Sequence, residues 1–336
     1  MKIKTLFFAP LIAMMCVSCS GVKQYSSQDY LMKMDFKNPH FNILQFSDIH
    51  FSLSDDLDYH FKFLDLSIED AKKQLAATGE KVDLIVLNGD IFTFADKRTV
   101  NETFEFFDSH KIPWTFTYGN HDDQGYYTDH YIEEVLPTYT YAMFKSFDDE
   151  ISGRSNFVID LKGEVGGVRK TVYQLYFFDS HSYRFHDYMY YDYIKEDQIE
   201  WYKSMIENTN PERAKSSAFF HIPLPEYRDA KEAIAENPEL NIEGAGVLEG
   251  IAAPRYNSGL FKAMKDYNST ISVHVAHDHI NNFAYNYDGI TLCYGVKATD
   301  RIYANNDIMG ATLIRVGNDY QSVTTQSILH TYEEVK

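Results

Sequence analysis

Cysteine is scarce in this chain, with three in 336 residues, at positions 16, 19 and 293. Two of them lie in or just after an N-terminal apolar run, so the body of the chain keeps one thiol and can close no internal disulfide. Cys293 sits in the apolar stretch 290–294 and reads as a small buried hydrophobe. Basic residues are also few. Lys and Arg number 31 against 49 Asp and Glu, a formal charge of −18, which excludes use as a nucleic-acid-binding scaffold. An anionic substrate stays open, because bound divalent cations reverse a local field. The apolar run from Leu6 to Val17 is too short to span a membrane. Neither a Gly-x-Ser-x-Gly elbow nor a P-loop occurs, which removes serine-nucleophile and nucleotide-driven chemistry. What is abundant is core material, at 44% hydrophobic and 15% aromatic.

Lys2 and Lys4, the apolar run and the small residues after it read as a secretory signal peptide over 1–18. Cys19, between Ser18 and Ser20, resembles the lipid-attachment cysteine of bacterial lipoproteins. That resemblance implies an exported protein of a bacterial cell envelope, held to the membrane only through an N-terminal lipid. Residues 19–39 then read as a polar tether and 40–336 as one domain.

From Phe41 onward the chain alternates. A strand ending at Phe46, a helix carrying Phe61, Leu64, Ile68, Ala71 and Leu75, and a strand over 82–87 come first. A helix capped by Thr99 and a strand over 112–117 follow, a pattern of parallel βαβ units. The second half is richer in strands. A hairpin turns at Gly163–Gly167, and strands over 217–221 and 271–276 are separated by helices near 226–236 and 258–266. The Gly-rich 243–250 reads as a loop, and strands near 290–296, 310–316 and 322–329 close the chain. The aromatic segment 181–193 is either a wall of the substrate pocket or a packed surface loop, and Arg184 within it is a candidate phosphate contact.

Five strand ends carry side chains of the metal-binding type: Asp48 and His50, Asp90, Asn120 and His121, His221, then His277 and His279. Ligands of open α/β sheets gather beyond the carboxyl ends of strands, so these five ends can converge. Residues two apart point the same way in extended chain, which pairs Asp48 with His50 and His277 with His279. The mixture of carboxylate, imidazole and amide suits Mn, Zn or Fe better than a thiolate site would.

These motifs, Asp48-x-His50, Gly89-Asp90, Gly119-Asn-His-Asp122, His221 and His277-Asp-His279, resemble the calcineurin-like metallophosphoesterase superfamily. Phe177-Phe-Asp-Ser180, Phe219-Phe-His-Ile-Pro223, Asn257-Ser-Gly259 and His277-Asp-His-Ile-Asn281 extend the similarity to its purple-acid-phosphatase-like branch, over about residues 40–316. The resemblance implies a four-layer α/β/β/α sandwich of two mixed sheets and a dinuclear centre of divalent ions. One ion would take Asp48, His50 and His279, the other Asn120, His221 and His277, with Asp90 between them. His121 would protonate the leaving group of a phosphorylated substrate, with Asp122 orienting its ring. A phosphomonoesterase is the leading expectation, a phosphodiesterase on nucleotides or lipid head groups the alternative, and a non-catalytic surface lipoprotein the third. The chain departs from purple acid phosphatases at Thr93, where they carry the iron-binding tyrosine.

Overall fold

The computed structural model describes residues 29–125, 128–146, 151–184 and 187–335. The expected signal peptide and Cys19 lie outside the described residues. Strands β1 (Leu31–Asp35), β2 (His40–Phe46), β3 (Leu84–Asn88) and β4 (Trp114–Thr117) come first, with helices α1 (Leu57–Ala76), α2 (Lys97–Ser109) and α3 (Thr128–Val135). The middle holds β5 (Phe157–Val165), β6 (Val168–Phe177), β7 (Tyr183–Arg184), β8 (Asp187–Tyr191), α4 (Glu196–Thr209), β9 (Lys215–Phe219) and α5 (Tyr227–Glu236). The chain closes with β10 (Glu243–Gly246), α6 (Leu260–Tyr267), β11 (Thr270–Val275), β12 (Asn282–Tyr287), β13 (Ile290–Tyr294), β14 (Met309–Gly317) and β15 (Val323–His330).

Two mixed sheets result. The smaller runs β15-β14-β2-β3-β4, with β2, β3 and β4 parallel as the βαβ pattern requires. The larger runs β1-β5-β6-β9-β11-β13-β12-β10. Alternation along β5 shows how the layers form. Phe157, Ile159 and Leu161 enter one core with the small sheet, α1 and α2. Val158 faces the other way, into a second core with α4, α5 and α6. The layers are therefore helix, sheet, sheet, helix. Between β5 and β6, Val165 pairs with Val168 across Gly166 and Gly167, both with positive φ, which two-residue hairpins favour.

Some sequence expectations are corrected here. Residues 31–35 are not tether but the edge strand β1, paired parallel with β5, and Tyr30 is buried edge-on against Trp201, 5.8 Å between ring centroids. The sequence hides this strand because its side chains are half-buried on both faces and do not alternate. Helix α2 is capped by Asp96, whose carboxylate accepts the Thr99 N–H at 2.9 Å, rather than by Thr99. The stretch 243–250 contributes a short edge strand, β10, and β12 was not anticipated. If the chain before residue 40 belongs to the fold, Tyr30→Ala should lower the free energy of unfolding by about 3 kcal/mol, measured by urea denaturation. An unchanged midpoint would return those residues to the tether.

Candidate metal centre

Every metal-type strand end lies at one place between the sheets. β2 and β3 run side by side, and just past their ends Asp48, His50 and Asp90 adopt φ of 52°, 56° and 51°. His277, past β11, has φ of 85°. Left-handed backbone is uncommon and costly for residues with a side chain. Here it bends the side chains of three strand ends inward within a few residues. Two glycines give the room. A Cβ on Gly89 would come within 2.6 Å of the His221 ring, and one on Gly119 would collide with the Asp90 backbone and carboxylate.

The resulting cluster is dense and almost dry. Asp48 Oδ1 lies 3.6 Å from His279 Nε2, 3.8 Å from His221 Nε2 and 3.9 Å from His50 Nε2. Asp90 Oδ2 lies 3.1 Å from His221 Nε2 and 3.8 Å from His50 Nε2. His50 and His279 bring their Nε2 atoms to 2.9 Å. Three compact donor groups emerge: Asp48 with His50 and His279, Asp90 with His221 and His277, and His50 with Asp90 and His121.

Backbone contacts decide which imidazole nitrogens carry hydrogen. His221 Nδ1 faces the Asn88 carbonyl at 3.0 Å, and His279 Nδ1 faces the Tyr303 carbonyl at 2.9 Å. A carbonyl only accepts, so each Nδ1 is a donor and each Nε2 is turned toward the carboxylates. His50 Nδ1 meets the Thr93 hydroxyl at 2.8 Å, so the residue standing in place of tyrosine orients a ligand-type histidine. Buried and without a counted hydrogen bond are Asp48 Oδ1, Asn120 Oδ1, His221 Nε2 and both nitrogens of His277. Lone pairs aimed at one another in a dry site repel, and unpartnered buried polar atoms are costly. A cation among them satisfies both conditions, so the donor set fits divalent metal ions.

The electrostatics agree. Burial holds His50 and His277 well below the ordinary imidazole range and His279 down to about 4, all neutral and ready to ligate. His221 differs. Burial opposes its charge, but the Asp90 and Asp48 carboxylates outweigh burial and push it up to about 9. Lys297, buried beside them, is pushed down to about 8 by burial and donates to the Asp48 carbonyl.

His121 is half-exposed at the edge of the cluster, its ring centroid 5.0 Å from that of His50. Asp122 does not orient it. Asp122 points inward and accepts backbone N–H groups from Asp90 at 2.8 Å, Phe92 at 2.9 Å and Gly119 at 2.7 Å. Burial and the Asp90 charge raise its carboxyl, while the Gly119 and Phe92 N–H groups favour the anion. Asp122 thus fastens the turn carrying Asn120 to the one carrying Asp90. The partner of His121 is Gln124, whose Oε1 lies 2.7 Å from Nδ1. The aromatic segment 181–193, read as a pocket wall or a surface loop, brings Tyr183 to the centre, where its hydroxyl accepts from Asn120 Nδ2 at 3.3 Å and leaves Oδ1 as the free donor atom. Tyr191 packs its ring against His277, 4.3 Å between centroids, so the β7-β8 ribbon covers one side of the centre. The Arg184 side chain lies outside the described residues. Asp278 turns away, to the Ala252 N–H and the Tyr294 hydroxyl.

One prediction follows from the raised His221. Its charged form stabilises the metal-free fold fully below about pH 6.5, and that contribution is lost as pH rises through about 9. Adding Zn or Mn to metal-free protein at pH 7.5 should therefore release protons, measured in a pH-stat. His221→Ala should reduce that release.

The sequence from 41 to 295 matches the calcineurin-like phosphoesterase family. Among curated proteins, the chain is 32% identical over 240 residues to an Arabidopsis thaliana protein named "Probable inactive purple acid phosphatase 29", covering 64% of this chain and 59% of that one. It is 31% identical over 232 residues to the phosphatase DCR2 of Saccharomyces cerevisiae, covering 64% of this chain and 40% of the yeast protein. The chain thus spans less than two thirds of either relative. Among solved structures, a dimetal phosphatase from Danio rerio superposes with a TM-score of 0.53 at 11% identity, over 86% of this chain and 99% of the other. GAP50, the anchor in the inner membrane complex of Plasmodium, superposes with a TM-score of 0.50 at 12% identity, over 89% and 87% of the two chains. At such identities these two show a shared fold. With two mixed sheets, converging donor-bearing strand ends and a family match over most of its length, the chain belongs to the calcineurin-like phosphoesterase family.

Proposed function

We propose that this chain hydrolyses a phosphoester at a dinuclear centre, with a phosphomonoester as the substrate. The observation that carries the reading is the set of buried, partnerless donor atoms on Asp48, Asn120, His221 and His277, gathered around Asp90. Asp48, His50 and His279 would hold one divalent ion, and Asn120, His221 and His277 the other, with Asp90 shared. Mn, Zn and Fe are the ions this donor set suits. Bound there, two such ions supply Lewis acidity and a water acidic enough to attack phosphorus near neutral pH.

The chain's own groups do the rest. His121 stands at the open side of the cluster with Nδ1 facing the Gln124 side-chain oxygen, which leaves Nε2 to carry a proton toward a leaving oxygen. Its backbone N–H donates to Asp90 Oδ1 at 2.8 Å, so the turn that carries the acid is registered against the shared carboxylate. The Tyr183 and Tyr191 ribbon limits water on one flank.

A non-catalytic reading has one observation in its favour, the word "inactive" in the names of several plant relatives. Against it, none of the seven ligand-type positions is replaced in this chain. A diesterase remains the second catalytic reading, since the same donor set serves both ester types. We also place the protein at a membrane, through a lipid on Cys19, on the strength of the apolar run before it.

Comparing p-nitrophenyl phosphate with bis-p-nitrophenyl phosphate, with Mn, Zn or Fe added, tests the proposal. Faster turnover of the monoester is expected, the reverse order selects the diesterase, and no turnover of either by metal-loaded protein favours the non-catalytic reading or a narrow natural substrate. His121→Ala should keep both metals and lose about a hundredfold or more in kcat. Loss of metal in that variant would make His121 a ligand. Because Thr93 replaces the iron-binding tyrosine, the active protein should be colourless, and a visible phenolate-to-iron band would contradict that.

A further inference from the structure

The mouth of the centre is bordered by apolar side chains that face water. Leu53, Phe94 and Ile302 are 66%, 62% and 61% exposed, and Leu248 and Tyr303 are each 48% exposed. They lie on loops tied to one another. Phe51 and Phe92 form a parallel bridge and Thr93 N–H donates to the Phe51 carbonyl at 2.9 Å, which carries Leu53 and Phe94 out on neighbouring chains. Arg301 pairs with Asp55 at 2.6 Å and Thr299 donates to the Ile49 carbonyl at 2.8 Å, setting Ile302 against the Leu53 loop. Tyr303 stacks on His279 with centroids 4.2 Å apart, and its hydroxyl donates to Glu249, next to Leu248. These ties run from the loops after His50 and Asp90 to the one that stacks on His279, and so set the five residues in an arc beside those two histidines.

Two of them also carry backbone strain. Phe94 has φ of 50° and Ile302 φ of 69°, and a left-handed conformation is a marked outlier for a side chain branched at Cβ. The fold holds exposed apolar side chains in an unfavourable backbone geometry beside its functional site, a combination that burial against a partner would explain.

The topology indicates which partner. Leu31 pairs with Val158, Val158 with Tyr176, Tyr176 with Ala218, and Ala218 with Val273. His221 and His277 lie a few residues beyond Ala218 and Val273, and the chain before Leu31 leaves in that same direction, because β1 and β5 run opposite to β6, β9 and β11. Residue 29 therefore enters the fold at the sheet edge that carries the metal centre, four strands or roughly 19 Å from β11. The segment from Cys19 to that point spans at most about 35 Å. With the lipid proposed above on Cys19, the anchoring surface would lie on the side of the fold that carries the metal centre and the arc beside it.

We propose that the arc of Leu53, Phe94, Leu248, Ile302 and Tyr303 seats the mouth of the centre on a lipid surface, and that the substrate is a phosphoester head group presented there. The net charge of −18 favours a zwitterionic surface over an anionic one. Seating stands independently of catalysis, whereas the substrate class rests on the phosphoesterase reading.

The test places a reporter in the arc of the full chain. Trp114 and Trp201, the two native tryptophans, are fully buried, so Leu53→Trp adds the one exposed indole. With phosphatidylcholine vesicles the Leu53→Trp emission should shift to the blue and be quenched by brominated phosphatidylcholine. Adding Phe94→Ser and Ile302→Ser should weaken that quenching by about tenfold in lipid concentration. An unquenched indole on protein that sediments with the vesicles would overturn the proposal. So would a blue shift that depends on protein concentration without lipid, which would assign the arc to a second copy of the chain. In a parallel assay on otherwise native protein, Phe94→Ser/Ile302→Ser should slow hydrolysis of phosphatidic acid in phosphatidylcholine vesicles about tenfold and leave p-nitrophenyl phosphate turnover unchanged. Equal slowing of both would overturn the surface role. If the native chain hydrolyses neither while the Leu53→Trp indole is quenched, the phosphoesterase reading fails and the seating stands.

Discussion

The structure depends on the crowding of buried imidazoles around two carboxylates, Asp48 and Asp90. His221 and His279 have their N–H groups fixed on backbone carbonyls, and their other nitrogens face Asp48 and Asp90 in a buried site. In a medium of low effective dielectric such a group of donors is strongly destabilising alone and strongly binding toward a cation. The surrounding architecture holds that arrangement together. Left-handed turns at Asp48, His50, Asp90 and His277 aim the side chains, Gly89 and Gly119 clear the space, and Asp122 locks two of the turns by accepting three backbone N–H groups.

The same logic separates residues that touch chemistry from those that position them. Thr93 orients His50, Tyr303 orients His279, and Tyr183 fixes the amide of Asn120. Each is a polar group on a different loop, and each acts on a nitrogen that faces away from the cluster. His121 stands half-exposed beside His50, and the aromatic ribbon packs on His277.

Much of this was legible in the sequence because it is local. A strand that ends in Asp-x-His or Gly-Asn-His announces both the element and the donor, and parallel strands must bring their ends to one edge. Asp122 was misassigned for the same reason. It follows His121 directly, and adjacency suggested a pair, but a tight turn sends neighbouring side chains in different directions. The aromatic run marks Tyr183 only as a pocket-wall candidate, because its partner Asn120 lies 63 positions away, and Tyr303 holds His279 through a backbone carbonyl, which no side-chain type announces. β1 was invisible because a strand at a sheet edge, half-buried on both faces, lacks the alternation that betrays a strand with one dry side.

Asn88 deserves a closing thought, for it belongs to both halves of the sandwich at once. At the end of β3 in the small sheet, its side-chain amide donates to the carbonyls of Phe220 and His274 in the large sheet, at 3.3 and 3.2 Å. Its side-chain oxygen accepts from Thr117, and its own carbonyl holds His221. One residue therefore acts as a rivet through both plates and as the mount of a ligand. Slippage of one sheet over the other would detune the ion site, and an ion drawing His221 inward would tighten the rivet. The centre is less a cargo carried by a finished fold than the keystone against which its two sheets are set.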